Sequence, residues 1–343
     1  MRGNRLLVPL LCAAVGVVSS RGVAQLPAAP HAPATALSEA PQPILFPTTL
    51  DIFSSTPLSV PPFGYFGAAQ CDASGRMYFA AGNPLAADVT YLSISSDGQQ
   101  ENVYSLPKAV LDAPHNVSFY AAGDGEMHFL VVQPGVSVTW LRFDKDGRLS
   151  GTEVLPVPTN IDVNSFAVTP EGYLLLLGYH PLTTAHGADD GSSYRAIFDI
   201  NGKRIATLSQ EKESSGTDPS NGPSQEAVTA WGGNFYWIDG QSIVVMDTTG
   251  NVVRSLPFSM PSKTARVLGL HLSGGLAEIT FLDIKARPQT RYLIVNAATG
   301  DAYGIYLPPE GEPMNLVCYD AKEGFTFLGV MGGHLSLVQA LAP

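Results

Sequence analysis

The sequence predicts an all-β fold, a six-bladed β-propeller with four antiparallel strands in each blade. Three observations lead to it: short β-type segments end at turn motifs, these motifs recur at intervals of about 50 residues, and the chain is long enough for six such units. The 343 residues include 34 Gly and 27 Pro, which is typical of a chain with many turns, and 45% of them are hydrophobic. This composition indicates a globular protein with a sizeable core.

The turn motif is an Asp followed three residues later by Gly, as in LRFDKDGRL (141–149), AIFDINGKRI (196–205) and VVMDTTGNVV (244–253). An Asp side chain can accept a hydrogen bond from the backbone two residues on, and Gly adopts the positive φ that closes a hairpin. A calcium loop of the EF-hand type would need an oxygen ligand at its first position, where Arg142 stands, and flanking helices instead of β-type flanks. We therefore interpret each motif as a turn between two antiparallel strands.

Two alternating series of turn glycines set the number of blades. The first series is Gly98, Gly147, Gly202, Gly250 and Gly300. The second series is Gly75, Gly125, Gly172, Gly233, Gly275 and Gly324. Six turns of one kind and five of the other predict six blades, of which the last lacks its outer strand. The segment PILFPTTLDI (43–52) resembles other outer strands, so we predict that it closes the ring as the outermost strand of the sixth blade.

On the three Asp motifs, the chain resembles six-bladed propellers of the TolB-like and NHL kind over residues 43–343. It departs from them in detail, because no unit carries the second Asp-containing turn of the fuller NHL repeat, and neither YWTD nor an Asp-box occurs. The resemblance therefore implies the fold and no named subfamily.

The N-terminal 24 residues have the pattern of a secretory signal peptide, with a retained membrane anchor as the alternative. Arg2 and Arg5 precede an apolar run from Leu6 to Val18, and small residues follow up to a predicted cleavage after Ala24. The apolar run is short for a bilayer-spanning helix. Residues 25–42 are rich in Ala and Pro and are predicted to form a linker, which leaves 43–343 for the propeller. We expect a secreted or periplasmic protein, without an integral membrane segment in the mature chain.

The net charge is −11, and no stripe of Lys and Arg is visible. This balance argues against nucleic acid and against an anionic membrane surface as partners. The mature chain would keep two cysteines, Cys71 and Cys318. Successive residues of a strand face opposite sides. If CDASG and CYDAKEG are aligned on the Asp, the two cysteines can face each other across the blades; if they are aligned on the Gly, they face away from each other. We predict two buried free thiols, with a disulfide as the alternative.

Propeller ligands usually bind where the outer strand of one blade connects to the inner strand of the next. The side chains predicted to lie at this ligand face are His115, Asn116, Asn164, Glu226, Arg266 and Asn315. Two long connections, 178–195 and 209–226, are predicted on the same face, which is where binding usually resides. All three tryptophans, Trp140, Trp231 and Trp237, lie in strand patterns and are predicted to be core residues.

The sequence contains no G-x-S-x-G, P-loop, H-E-x-x-H or C-x-x-C motif. The leading hypothesis is therefore a monomeric, non-catalytic propeller without a cofactor, which binds a protein or a small ligand. The alternative is a Ca²⁺-dependent, lactonase-like hydrolase. Gluconolactonase-like propellers hold a divalent cation in a ring of Glu, Asn and Asp, and Asn164, Glu226 and Asn315 match that ring in type. In that case Glu226 would be the catalytic residue.

Overall fold

A computed structural model describes residues 45–60, 65–72, 74–83, 88–112, 115–123, 125–180, 193–208, 227–311 and 314–342. Their strands form six separate sheets arranged as the blades of a propeller. Each blade has four antiparallel strands in sequence order from the inside outwards, and the last blade takes its outer strand from the N-terminal part. A short fifth strand pairs in parallel at the outer edge of one sheet. The predicted signal peptide and linker lie outside the described residues and stay predictions.

Two strands precede the first blade, β1 (Thr48–Thr49) and β2 (Asp51–Pro57). Blade 1 comprises β3 (Tyr65–Cys71), β4 (Met77–Asn83), β5 (Asp88–Ile94) and β6 (Gln100–Tyr104). After the helical turn α1 (Lys108–Leu111), blade 2 comprises β7 (Asn116–Ala121), β8 (Met127–Gln133), β9 (Ser137–Phe143) and β10 (Leu149–Leu155). Blade 3 comprises β11 (Asp162–Val168), β12 (Leu174–Tyr179), β13 (Ser193–Phe198) and β14 (Arg204–Leu208).

The second half of the chain continues the same pattern. Blade 4 comprises β15 (Val228–Trp231), β16 (Asn234–Asp239), β17 (Ser242–Met246) and β18 (Val252–Pro257). Blade 5 comprises β19 (Ala265–Ser273), β20 (Leu276–Asp283), β21 (Thr290–Asn296) and β22 (Ala302–Leu307). Blade 6 comprises β23 (Met314–Asp320), β24 (Gly324–Met331), β25 (His334–Leu341) and the N-terminal β2. The first strands of consecutive blades contact one another around the ring, so these six strands surround the central channel.

An N-terminal strand closes the ring, as predicted, but it lies further along the chain than the predicted segment 43–52. The outermost strand of blade 6 is β2, which pairs antiparallel with β25. The preceding β1 instead pairs in parallel with β22 at the outer edge of blade 5. Leu50, between the two strands, is only 2% exposed, whereas Phe46 is 80% exposed. The apolar residues that suggested 43–52 therefore do not mark the paired strand.

The Asp motifs form turns, as the sequence predicted. In the motif at Asp144, Oδ1 accepts hydrogen bonds from the backbone N–H groups of Asp146 at 3.0 Å and Arg148 at 2.9 Å. Asp199 and Asp247 make the same pair of bonds with the residues two and four positions on. All eleven predicted turn glycines have positive φ, between 72° and 97°. Each motif therefore serves to reverse the chain within a blade.

The hydrophobic core consists of the layers between neighbouring sheets. Buried side chains of blades 1 and 2 form one such layer, and those of blades 2, 3 and 4 form another. Blades 4 and 5 share a third layer, and blades 5 and 6 share a fourth. Phe79 and Leu92 of blade 1 pack in the same layer as Val317 and Leu328 of blade 6, so hydrophobic packing continues across the closure of the ring.

Candidate functional site

The residues predicted at the ligand face lie at the starts of inner strands, as the strand order requires. Asn116, Asn164, Arg266 and Asn315 lie within the first three residues of their strands, and His115 directly precedes β7. Asn116, Arg266 and Asn315 are exposed, and the other two are half-buried. Glu226 lies outside the described residues, as do most of the two long connections. The convergence of these residues on a ligand or a Ca²⁺ ion therefore stays a prediction.

A cavity of about 570 Å³ lies at the opposite end of the inner strands, where they lead into the first turn of each blade. The last residues of β3, β7, β15, β19 and β23 line it, together with the turns that follow several of these strands. The five described residues of the predicted ligand face are not among its lining residues. Its volume is within the range typical of small-molecule sites.

Gln70, one residue before the end of β3, links blade 1 to blade 2 at this cavity. Its Nε2 donates a hydrogen bond to the carbonyl oxygen of Phe119 at 3.0 Å, and its Oε1 accepts one from the backbone N–H of Ala121 at 2.9 Å. The amide thus satisfies two backbone groups of β7 that face the channel. Such pairing matters because buried backbone groups without a partner are costly.

Tyr120 makes a longer link, from blade 2 to blade 4. Its ring packs beside Phe166 of blade 3 with the ring centroids 6.0 Å apart. Its hydroxyl accepts a hydrogen bond from the backbone N–H of Ala230 at 2.8 Å and lies 3.2 Å from the hydroxyl of Thr229. Burial raises the pKa of Tyr120, and the bonds to Thr229 and Ala230 oppose that effect only in part, so the phenol remains neutral. The side chain therefore crosses the inner strand of blade 3 and forms part of the cavity wall.

Ser273 and Asp320 link blade 5 to blade 6. The Ser273 hydroxyl donates to Oδ2 of Asp320 at 2.8 Å and accepts from the backbone N–H of Ala321 at 3.3 Å. Partial burial acts to raise the pKa of Asp320, but the bonds from Ser273 and from the N–H groups of Lys322 and Glu323 outweigh it and lower the pKa. Asp320 is therefore a carboxylate at neutral pH, on the wall of the cavity.

Cys71 and Cys318 form a disulfide, so the prediction of two free thiols was wrong. Their Cα atoms are 5.5 Å apart, and the bond joins the inner strands of blades 1 and 6. The correct alignment is the one on the Asp, because Asp72 and Asp320 both accept backbone hydrogen bonds in their turns. The turn of blade 6 has one more residue between Asp and Gly than that of blade 1, which shifts the alignment on the Gly by one residue. Both cysteines line the cavity.

A buried carboxylate holds the histidine in the wall of blade 5. Glu278 is 0% exposed, and its Oε2 lies 2.8 Å from Nδ1 of His271, its direct neighbour across β19 and β20. The other oxygen, Oε1, accepts a hydrogen bond from Thr280 at 2.8 Å. Burial raises the pKa of Tyr292 nearby, and the negative charge of Glu278 raises it further. These contacts fix the ring of His271 at the cavity.

Trp231 lies at the edge of the cavity and is 40% exposed, so the prediction that it belongs to the core was wrong. Trp140 and Trp237 are buried, as predicted. The reason is position along the strand. Trp231 is the last residue of β15 and directly precedes the turn at Gly232, whereas the other two lie inside the middle strands of their blades.

The residues that line this end of the channel were not predicted from the sequence. In five of the six blades they occupy the last two to four positions of the inner strand before its turn, so an alignment of the blades on those turns was the signal that could have found them. Among the described residues, no group of three His, Cys, Asp or Glu side chains is arranged to hold a metal ion. The described part of the chain likewise contains no helix with the length and apolar character needed to cross a membrane.

Comparison with known proteins identifies no family for this chain. Neither a protein-family model nor a curated protein matches the chain. Similar solved structures include a protein of unknown function from Bacteroides caccae, with a TM-score of 0.39 and 12% identity over 70% of this chain and 85% of that one. A structure from a study of two prolyl endopeptidases has a TM-score of 0.44 and 12% identity over 82% of this chain and 50% of that one.

A third similar structure is that of BBS1N in complex with ARL6DN, with a TM-score of 0.42 and 10% identity over 87% of this chain and 98% of that one. This chain thus spans about half the length of the prolyl endopeptidase structure and most of the other two. All three are too distant to support an argument about function. The six-bladed fold is established by the strand pairing of the chain itself.

Proposed function

We propose that the protein is an exported, non-catalytic β-propeller that binds a small ligand in the cavity at the end of its channel. The observation that carries the proposal is the cavity itself, about 570 Å³ in volume and lined by the inner strands of five blades. Hydrogen bonds and a disulfide between inner strands hold its wall in place. A wall that is fixed before binding reduces the entropy lost when a ligand binds.

The Cys71–Cys318 disulfide supports export as well. Disulfides persist in oxidising compartments such as the periplasm and the extracellular space, and they are rare in the reducing cytosol. This agrees with the signal-peptide pattern of residues 1–24. If the intact mass of the exported protein matches a chain that begins at Gln25, it would support both the compartment and the predicted cleavage. A mass that retains residues 1–24 would contradict them.

Gly123 offers a way to test binding in the cavity. It lines the cavity, its φ lies outside the left-handed region, and a Cβ added there would meet no atom within 4 Å. The variant G123W should therefore place an indole at the cavity without disturbing the fold, and G123A is the matched control.

The measurement is the melting temperature of each variant against a panel of small organic cations, sugars and organic acids. We expect at least one probe class to stabilise the wild type and G123A but not G123W. The proposal fails if no probe stabilises the wild type, or if G123W responds as the wild type does.

The Ca²⁺-dependent hydrolase remains the alternative, with Asn164, Glu226 and Asn315 as its candidate metal ligands. One carboxylate and two amides would give a weak site, with a Kd of about 10⁻⁴–10⁻³ M. Under the leading proposal, Ca²⁺ and Mg²⁺ at equal concentration should shift the melting temperature equally. A shift specific to Ca²⁺ that is lost in E226A would favour the hydrolase.

A further inference from the structure

We propose that the channel-end cavity binds a small organic cation, a molecule with an ammonium or guanidinium group, between Trp231 and the acidic turn of blade 6. This inference rests on the proposed function, because it names the ligand class of the same cavity. Three features of the molecule support it: the tryptophans, the charges of the cavity wall and the position of both along the ring.

Two of the three tryptophans of the chain pack against a guanidinium group. Arg142 lies over the ring of Trp140 at 5.2 Å, and Arg195 lies over that of Trp237 at 5.4 Å. Trp231 is the third, and among the described residues no cation covers its ring. It makes a T-shaped contact with Tyr236 and remains 40% exposed at the cavity. An exposed indole in a cavity wall is a site where a ligand cation is attracted.

The charged side chains in the wall favour a positive ligand. Asp72, Asp320 and Glu323 line the cavity, whereas Lys322 is the one Lys or Arg among its described lining residues. Asp72 is saturated by Ser74 and Tyr78, so it contributes its charge and not a direct contact. Asp320 and Glu323 belong to the turn after β23, where Glu323 is exposed and available to a ligand.

The two halves of the site belong to blades 4 and 6, and the inner strand of blade 5 lies between them. His271 and Ser273 of that strand line the same cavity. Both are already hydrogen-bonded, to Glu278 and to Asp320, so they form part of the cavity wall between the two halves. A ligand that contacts both Trp231 and the carboxylates would therefore extend across β19.

The first experiment compares three probes at low ionic strength by isothermal titration calorimetry of the full mature protein. The probes are agmatine, the uncharged polyol sorbitol and the anion citrate. We expect agmatine to bind and the other two not to bind. If sorbitol or citrate binds in the cavity instead, the cation inference is wrong while the proposed function stands. If none of the three binds and no panel compound distinguishes G123W from wild type, both are wrong.

The second experiment uses variants that are expected to change agmatine affinity in opposite directions. A general structural disturbance would weaken binding in all of them. E323Q should weaken agmatine binding roughly two- to fivefold, and K322Q should strengthen it by a similar factor, since each changes one partly screened charge. W231L should weaken it about threefold or more, because the cation–π contact is lost.

The matched control is D247N, which removes one negative charge from an exposed turn of blade 4 outside the cavity lining. It should leave agmatine binding unchanged. Asp320 can be tested by D320N with its turn intact, because Asn296 already caps a turn of this chain through its amide oxygen. Equal weakening by D247N and E323Q would show a response to overall charge, and weakening by K322Q would show that the charges of this turn do not attract the ligand. Either result would overturn the inference.

Discussion

Single residues at equivalent positions of different blades link neighbouring inner strands in this ring. Gln70 lies two residues before the turn Asp of blade 1, and its side chain reaches forward to the inner strand of blade 2. Cys318 lies two residues before Asp320 and likewise reaches forward, to blade 1. Alternate residues of a strand face opposite sides, so Cys71, one position after Gln70, faces back to blade 6. The position of each cysteine relative to the turn Asp of its blade thus decides that the two side chains face each other.

The most acid-sensitive residue we identify is His128. It is buried beside Trp140, and its Nε2 lies 3.8 Å from a carboxylate oxygen of Glu126. Burial, with a smaller contribution from the positive charge of Arg142, lowers the pKa of His128 to about 3. The folded state therefore holds His128 neutral, and the unfolded state binds its proton at a higher pH.

Stability from this group is present above the unfolded pKa of about 6.5 and is lost as the pH falls towards the folded value. Between pH 7 and pH 4.5 we expect the free energy of unfolding to drop by about 2–3 kcal/mol more in the wild type than in H128L. Urea unfolding of both proteins at the two pH values measures this. Equal drops would show that His128 is not the sensitive group.

Among the structural elements, the positions of the turns were predictable from the sequence and the bounds of the closing outer strand were not. A turn such as that at Gly250 needs a residue with positive φ and an Asp that accepts hydrogen bonds from the backbone. These needs are local, so they are visible in the sequence as an Asp followed by a Gly. The closing strand β2 has mostly exposed and half-buried residues, because an outer strand packs only weakly. Its apolar residues therefore carry little signal, and Leu45 and Phe46 drew the prediction towards the wrong end of the segment.

Two turn glycines with the same backbone conformation should differ in how they tolerate a side chain. Gly75 has φ 81° and Gly324 has φ 85°. A Cβ at Gly75 would meet nothing within 4 Å, whereas at Gly324 it would lie 2.6 Å from the carbonyl oxygen of Ala340. We expect G75A to lower the free energy of unfolding by about 1 kcal/mol, from the φ strain alone.

G324A should cost clearly more than G75A, because the backbone of β25 must also move. Chemical denaturation of the two variants beside the wild type measures the difference. Equal losses would mean that β25 does not pack against this turn as described, and would place the closure of blade 6 in question.

For the molecule as a whole, the critical region is the junction of blades 1 and 6, where the two ends of the chain meet. Three features hold it: pairing of β2 with β25, a shared hydrophobic layer, and the disulfide. The sequence indicated the first of these, whereas the prediction of free thiols was wrong about the third, because the distance between inner strands of adjacent blades is a property of the assembled ring. The cavity was missed for the same reason, since five blades build it together.

Loss of the disulfide should destabilise the whole ring, because the bond joins residues 247 positions apart in sequence. Constraint of so long a loop in the unfolded state is worth about 2–5 kcal/mol. We expect the double variant C71S/C318S to unfold at a lower urea concentration than the oxidised wild type and at about the same concentration as the reduced wild type. Thiol labelling of unfolded, unreduced protein should find no free thiol, and two labels per chain would contradict the bond.

The most direct measurement of the central claim, that this propeller binds its ligand at the turn end of the inner strands, is a crystal structure of the mature protein with agmatine. The account predicts density for agmatine in the cavity, with its guanidinium or ammonium group against Trp231 or beside Asp320 and Glu323. Density at the opposite mouth of the channel, among Asn164, Arg266 and Asn315, would contradict it and restore the ligand face that the sequence first indicated.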